Sequence, residues 1–195
     1  MKVIQSHIIK IIEKGDDIEE EYENLKQIVL EDNFFDVRQV MISTLAIISN
    51  IIKNHRRNSD FFNKIKKIIL IFETDIKKNF TNLEIFHIFK SHKIILLFMI
   101  KEKILTLNES IVKIITQDKY IIRKYPEYFY EEIKNYIDKE AINKFMPKEQ
   151  FQEKYDDYRK DGENETYICE IIRKDMIEEF TTYISKTNYP LDSKI

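Results

Sequence analysis

Two glycines and three prolines in 195 residues leave the chain few places to turn sharply, and tryptophan is absent. So little punctuation points to helices joined by short connections. A single cysteine, Cys169, excludes an internal disulfide and fits a reducing compartment. Long apolar runs are missing as well. The longest uninterrupted one, Ile94 to Ile100, has seven residues, against the roughly 20 that a membrane-spanning helix needs. The segment Met1 to Lys10 interleaves Lys2, Gln5, Ser6 and His7 with its apolar residues, so it is not a signal-peptide core. An excess of one charge is also lacking: 32 basic residues stand against 34 acidic ones, for a net charge of −2 and a pI near 6.1. That balance advertises no polyanion partner, and nucleic-acid binding is not expected. These absences predict an intracellular, cytoplasmic chain, long enough to bury a substantial core in one domain or two small ones.

What the chain has in plenty is isoleucine, lysine and asparagine. Isoleucine alone would argue for strands through its β-branched side chain. Its recurrence at intervals of three and four rather than two overrides that preference and predicts an all-α fold. Ile4, Ile8, Ile11 and Ile12 give a first helix, ended by Gly15 at a left-handed cap. Asp16-Asp17 opens a second, with Ile18, Tyr22, Leu25, Ile28 and Val29 on its face, running to about Leu30. Asp32-Asn33 breaks the chain again. From Phe34 to Asn54 the residues Val37, Val40, Met41, Thr44, Leu45, Ile48, Ile51 and Ile52 keep the helical spacing almost without fault, which predicts the central helix of the N-terminal part. Asn58-Ser59-Asp60 caps a fourth helix with the stripe Phe61, Ile65, Ile68, Ile69, Phe72 and Ile76, paired with the third as an antiparallel hairpin.

After Phe80 the rhythm shortens. Thr81-Asn82 caps a helix over Leu83 to Lys90, Ser91-His92 turns, and another helix follows from Lys93 to Lys103. Asn108 to Thr116 with Lys119 to Lys124 reads as a second pair, and Pro126, favourable at a first helical position, opens a segment to Asp138 that begins a third. The predicted arrangement is a helical bundle over 1–80 continuing into solenoid-like short helix pairs over 81–161. Pro147 opens a last connecting helix whose Phe151, Tyr155 and Tyr158 share one side and which Gly162 ends. No low-complexity linker separates these parts, so one continuous packed body is expected.

Candidate chemistry is sparse. His87 and His92 are five apart, a spacing that would put them on different faces were they on one helix, and no Cys or paired carboxylate completes a tetrahedral set; His7 and His55 have no sequence partner. They read as structural or surface histidines, and no metal or cofactor is expected. Lys53, Arg56 and Arg57 with Lys64, Lys66 and Lys67 form the one basic cluster, read as a solvated turn and helix end in preference to an anion or membrane-surface site. Phe61, Phe62, Phe86, Phe89 and Phe98 fall on core spacing rather than forming a stacking platform. Glu19-Glu20-Glu21 and Glu131-Glu132 sit at helix starts, where carboxylates are expected for electrostatic reasons, and lack the environment that would push a catalytic pair apart. No Gly-rich phosphate loop, nucleophile elbow or activated Cys–His arrangement is present in the sequence, and Cys169 reads as a buried small hydrophobe. No enzyme is expected.

The tail, Gly162 to Ile195, reads as two short amphipathic helices about a tight turn: Tyr167, Ile168, Ile171 and Ile172 on one, Met176, Ile177, Phe180, Tyr183 and Ile184 on the other. Thr166 falls at the Thr of the ankyrin signature, Asp175 at its inter-helix Gly, and Ile177-Glu178-Glu179-Phe180 at its second helix. Tyr167 replaces the helix-starting Pro, Cys169 the His, Ile171 a small Ala and Thr187 the second Gly, departures expected of a terminal unit with a neighbour on one side only. With NHRRNSDFFNKIKKII (Asn54 to Ile69) and NLEIFHIFKSHKIILLFMIKEKI (Asn82 to Ile104), this tail resembles the N-terminal half of a large family of ankyrin-repeat proteins from parasitic protists. In that family a helical region of unknown function precedes a phrase like GENETYICEIIRKD and then many repeats. The resemblance implies a binding scaffold and supplies no catalytic residues. Here the chain stops where the repeats would begin, and so reads as a fragment, a truncated paralogue or a stand-alone cap. The predicted docking face for a protein partner, further repeats or a second copy is drawn from Ile168, Ile172, Ile177 and Ile184, which a missing neighbour leaves open. Two functions follow as expectations: a protein–protein interaction module, or a structural N-terminal cap of a repeat array with no ligand of its own.

Overall fold

The computed structural model describes residues 2–13, 18–31, 38–54, 59–122, 124–145, 159 and 176–187. Among the described residues the chain is all-α, with thirteen helices and no strand. Helix α1 (Lys2–Glu13) buries Ile4, Ile8 and Ile11, one residue per turn, and packs on α2 (Glu19–Glu31), α3 (Arg38–Asn54) and α4 (Ser59–Ile71). Each such isoleucine contributes about 1.5–3 kcal/mol on burial, enough to fix the face of so short a helix. Helix α3 buries Met41, Thr44, Leu45, Ile48 and Ile52, five of the positions expected from its spacing. The breaks expected at Gly15, at Asp16-Asp17 and at Asp32-Asn33, and Val37 with them, lie outside the described residues.

The fourth helix differs from its sequence reading. Its stripe is buried throughout, but the helix is divided at Phe72, and α5 (Glu73–Asn79) begins on the other side. The Phe72 N–H reaches back three residues to the Ile69 carbonyl at 3.1 Å, while its own carbonyl starts the next ladder from Ile76 N–H at 2.9 Å. This tighter turn carries no Gly or Pro signal. It serves two packing demands at once, because α4 lies against α1, α2 and α7 while α5 lies against α3. The principal neighbours of α3 are α1, α5 and α6, so the expected pairing of the third helix with the fourth is made chiefly by the α5 half of the latter.

Helix α6 (Asn82–Phe89) opens with a complete capping box: Thr81 Oγ1 accepts from Glu84 N–H at 3.3 Å, and Glu84 Oε2 accepts from Thr81 N–H at 2.9 Å. Arg38 ties this start to α3 by pairing with Glu84, donating to the Asn79 carbonyl at 3.2 Å and lying 5.4 Å over the Phe80 ring. Helix α7 (Lys93–Lys101) ends not on glycine but on Lys103, at φ 56°. Ile104 N–H bonds the Met99 carbonyl at 2.8 Å and Lys103 N–H that of Ile100 at 3.1 Å, the paired closure of a Schellman end.

Beyond it, Asn108 caps α8 (Glu109–Ile115) by accepting from Ile111 N–H at 3.0 Å, and α9 (Asp118–Ile122) follows. The segment from Pro126, read as the beginning of a third pair, is two single turns, α10 (Tyr125–Tyr128) and α11 (Tyr130–Ile133), interrupted at the buried Phe129. Rings connect these turns to α6: Phe86 to Tyr120 at 6.2 Å, Tyr120 to Tyr125 at 5.1 Å, Tyr125 to Phe129 at 5.6 Å. α6 packs on α7 and α8, and α8 on α9. A single hydrophobic core runs from Ile4 to Ile133. Helix α12 (Lys139–Phe145) follows, started by Asp138, whose Oδ1 accepts from Ala141 N–H at 2.8 Å. The last described helix is α13 (Ile177–Thr187).

Candidate interaction surfaces

Helix α13 begins at the residue where the sequence places the second helix of the tail unit. Glu178 and Glu179 in its first turn and Lys186 in its last suit the helix dipole. Thr181 and Ser185 hydroxyls bond back to the carbonyls of Ile177 and Thr181 at 2.9 and 2.8 Å, which satisfies them on the polar side. Ile177, Phe180 and Ile184, three and four residues apart, form the apolar stripe, flanked by Met176 and Tyr183. Of these, Phe180, Tyr183 and Ile184 are half-buried, whereas Ile177 is 68 % exposed. The other two residues of the predicted docking face, Ile168 and Ile172, lie outside the described residues, as do Cys169 and the first helix of the unit.

The basic cluster is divided by the fold. Lys64, buried despite its charge, reaches Asp60 at 3.1 Å, and Lys67 reaches Glu19 at 2.6 Å while lying 5.0 Å over the Tyr22 ring. Burial, with the Glu19 and Asp60 carboxylates nearby, pushes the Tyr22 phenol well above its ordinary value. Lys66 points elsewhere, to α7, with its ammonium 5.9 Å over the half-buried Phe98 ring. Burial, and after it the charge of Lys101, hold Lys66 below the ordinary lysine value. Arg56 and Arg57 lie outside the described residues.

Two of the carboxylates expected at helix starts lie in those first turns and are also drawn inward. Glu21 is buried, with His7 Nδ1 at 2.8 Å and Lys10 Nζ at 3.9 Å, so His7 acquires a partner on the neighbouring helix. Glu132 pairs with the buried Arg159, whose backbone carbonyl accepts from the Tyr128 hydroxyl at 2.6 Å. His92 is buried in the turn between α6 and α7; its Nε2 lies 3.1 Å from Ser49 Oγ, which in turn donates to the Ile88 carbonyl at 3.1 Å. His87 is exposed. Phe61, Phe62, Phe86 and Phe89 are core residues, while Phe98 lies at the surface of that core. Among the described residues no group of three or more His, Cys, Asp or Glu side chains is placed to hold a metal ion, and no helix is long and apolar enough to cross a membrane.

Comparison of the chain with protein-family models, with curated proteins and with solved structures finds no match.

Proposed function

We propose that the protein is a non-enzymatic protein–protein interaction module, with α13 as the second helix of a degenerate ankyrin-like unit and its apolar stripe as a docking face. The observation that carries this reading is Ile177, 68 % exposed at the head of a stripe whose next members, Phe180 and Ile184, are half-buried. A helix that is amphipathic and yet leaves its first apolar turn in solvent is built to be covered further. The resemblance of the tail to the start of an ankyrin array supplies the kind of cover: another helical unit, in a further repeat, a second copy or a partner protein.

A second reading, a structural cap of a repeat array without a ligand of its own, is favoured by the short pairs. The first helix of one, α6, packs on the first helix of the next, α8, as nearest-neighbour stacking in a solenoid requires.

The test is a parallel retention assay from native lysate with the full chain, the full chain carrying Ile177→Asp and Ile184→Asp, and a chain ending at Lys160, with solution mass measured for each. Specific partners or dimers lost in both altered chains support docking through α13. Partners retained equally by all three would remove α13 from the binding surface, and background retention with an unchanged monomer mass in all three would favour the cap.

A further inference from the structure

Among the described residues the α4–α7 junction carries two cations without an anion. Lys66 is half-buried there, over Phe98, and Lys101, one turn beyond Phe98, is close enough to act on Lys66 by charge repulsion. Neither lysine makes an ion pair or hydrogen bond among the described residues, and Glu102, adjacent to Lys101, answers neither. Lys64 and Lys67, by contrast, are each matched by a carboxylate, on α4 itself and on α2. One turn after Lys66 on α4 stands Leu70, 41 % exposed, and one turn before Lys101 on α7 stands Phe98, so each charge has an apolar side chain beside it on its own helix.

We propose that Lys66, Leu70, Phe98 and Lys101 form a docking surface for an acidic segment of a partner protein, one with carboxylates on either side of an apolar side chain. The carboxylates neutralise the two ammonium groups and relieve their mutual repulsion, and the apolar side chain covers Leu70 and the Phe98 ring. Charge complementarity decides the class of occupant. Anionic membranes are held by clusters of about four to eight basic residues, and nucleic acid by still broader basic surfaces; two lysines on a chain of net charge −2 make neither. The surface is separate from α13, so this proposal stands or falls independently of the docking face there.

The probe is a fluorescein-labelled peptide of glutamate and leucine in amphipathic order, titrated by anisotropy into the full-length chain. Control peptides replace every leucine by serine or every glutamate by lysine, and phosphatidylserine vesicles and inorganic phosphate form separate arms. The expected result is saturable binding of the acidic–apolar peptide alone. It weakens at least about tenfold in the Lys66→Gln, Lys101→Gln double variant, is largely retained in Lys66→Arg, and falls as salt shortens the screening length below about 10 Å. Leu70→Ser, at an exposed position, weakens it without altering the circular dichroism. Binding that survives the double glutamine variant, absence of binding at millimolar peptide, or capture by the vesicles or phosphate in preference to the peptide overturns the proposal. Unchanged peptide binding in the Ile177→Asp, Ile184→Asp chain separates this surface from α13.

Discussion

Arg159 reaches Glu132 across 27 residues of sequence, and the two side chains are only 9 % and 16 % exposed where they meet. The Tyr128 hydroxyl also holds the Arg159 backbone carbonyl, so α10 and α11 together clasp a residue that follows α12.

Removing one partner of this pair leaves the other's buried charge short of its counter-charge, which costs up to roughly 3–5 kcal/mol, whereas replacing both by apolar residues of similar size is close to neutral. Arg159→Met alone and Glu132→Leu alone are therefore expected to lower urea stability markedly, and the double variant to recover most of it. Additive losses in the double-mutant cycle would show that the ion pair is not the clasp.

Lys103 occupies the left-handed region at φ 56° with an exposed side chain. Glycine adopts that conformation at no steric cost, so Lys103→Gly is expected to stabilise the protein by about 1 kcal/mol, and the β-branched Lys103→Ile to destabilise it by about as much or more. The urea midpoint, at constant m-value, reads both changes; a glycine variant less stable than the parent would mean that the lysine contributes more than its backbone shape.

The Glu84 carboxyl is held below its ordinary value first by the Thr81 amide, then by the Thr81 hydroxyl and by Arg38, against a smaller opposing effect of desolvation. A carboxylate whose folded value is depressed stabilises the fold fully above the unfolded value, and the contribution is lost as the pH falls through the folded one. The difference in melting temperature between the parent and Glu84→Gln is thus expected to be largest near neutrality and to close below about pH 4. A gap that does not narrow as the pH falls below the ordinary carboxyl range would assign it to neutral hydrogen bonding instead.

What was legible in the sequence is what repeats along a single helix. The stripes of α1, α3 and α4 are buried where their spacing put them, because a period near 3.6 needs only local information. Thr81 and Asn108 announced their caps for the same reason. The division of the fourth helix at Phe72 and the place of the break between α10 and α11 at Phe129 were not legible: each is marked by a buried aromatic, with no Gly or Pro at the break. Likewise, His7 with Glu21 and Glu132 with Arg159 join residues 14 and 27 apart, and no spacing rule connects them. Lys66 and Lys101 belong together only because α4 packs on α7. In the tail, the start of α13 matches its sequence reading, while the positions of Ile168 and Ile172 lie outside the described residues.

The unbroken core from Ile4 to Ile133 makes the body its own sensor. No helix from α1 to α11 can loosen without exposing apolar surface that others share, so melting of this body should register as one sharp event rather than a succession of small ones. A molecule that grips any single patch of it then raises the melting temperature of the entire body. Partners can accordingly be sought without choosing a binding patch beforehand, since heat alone reports their presence.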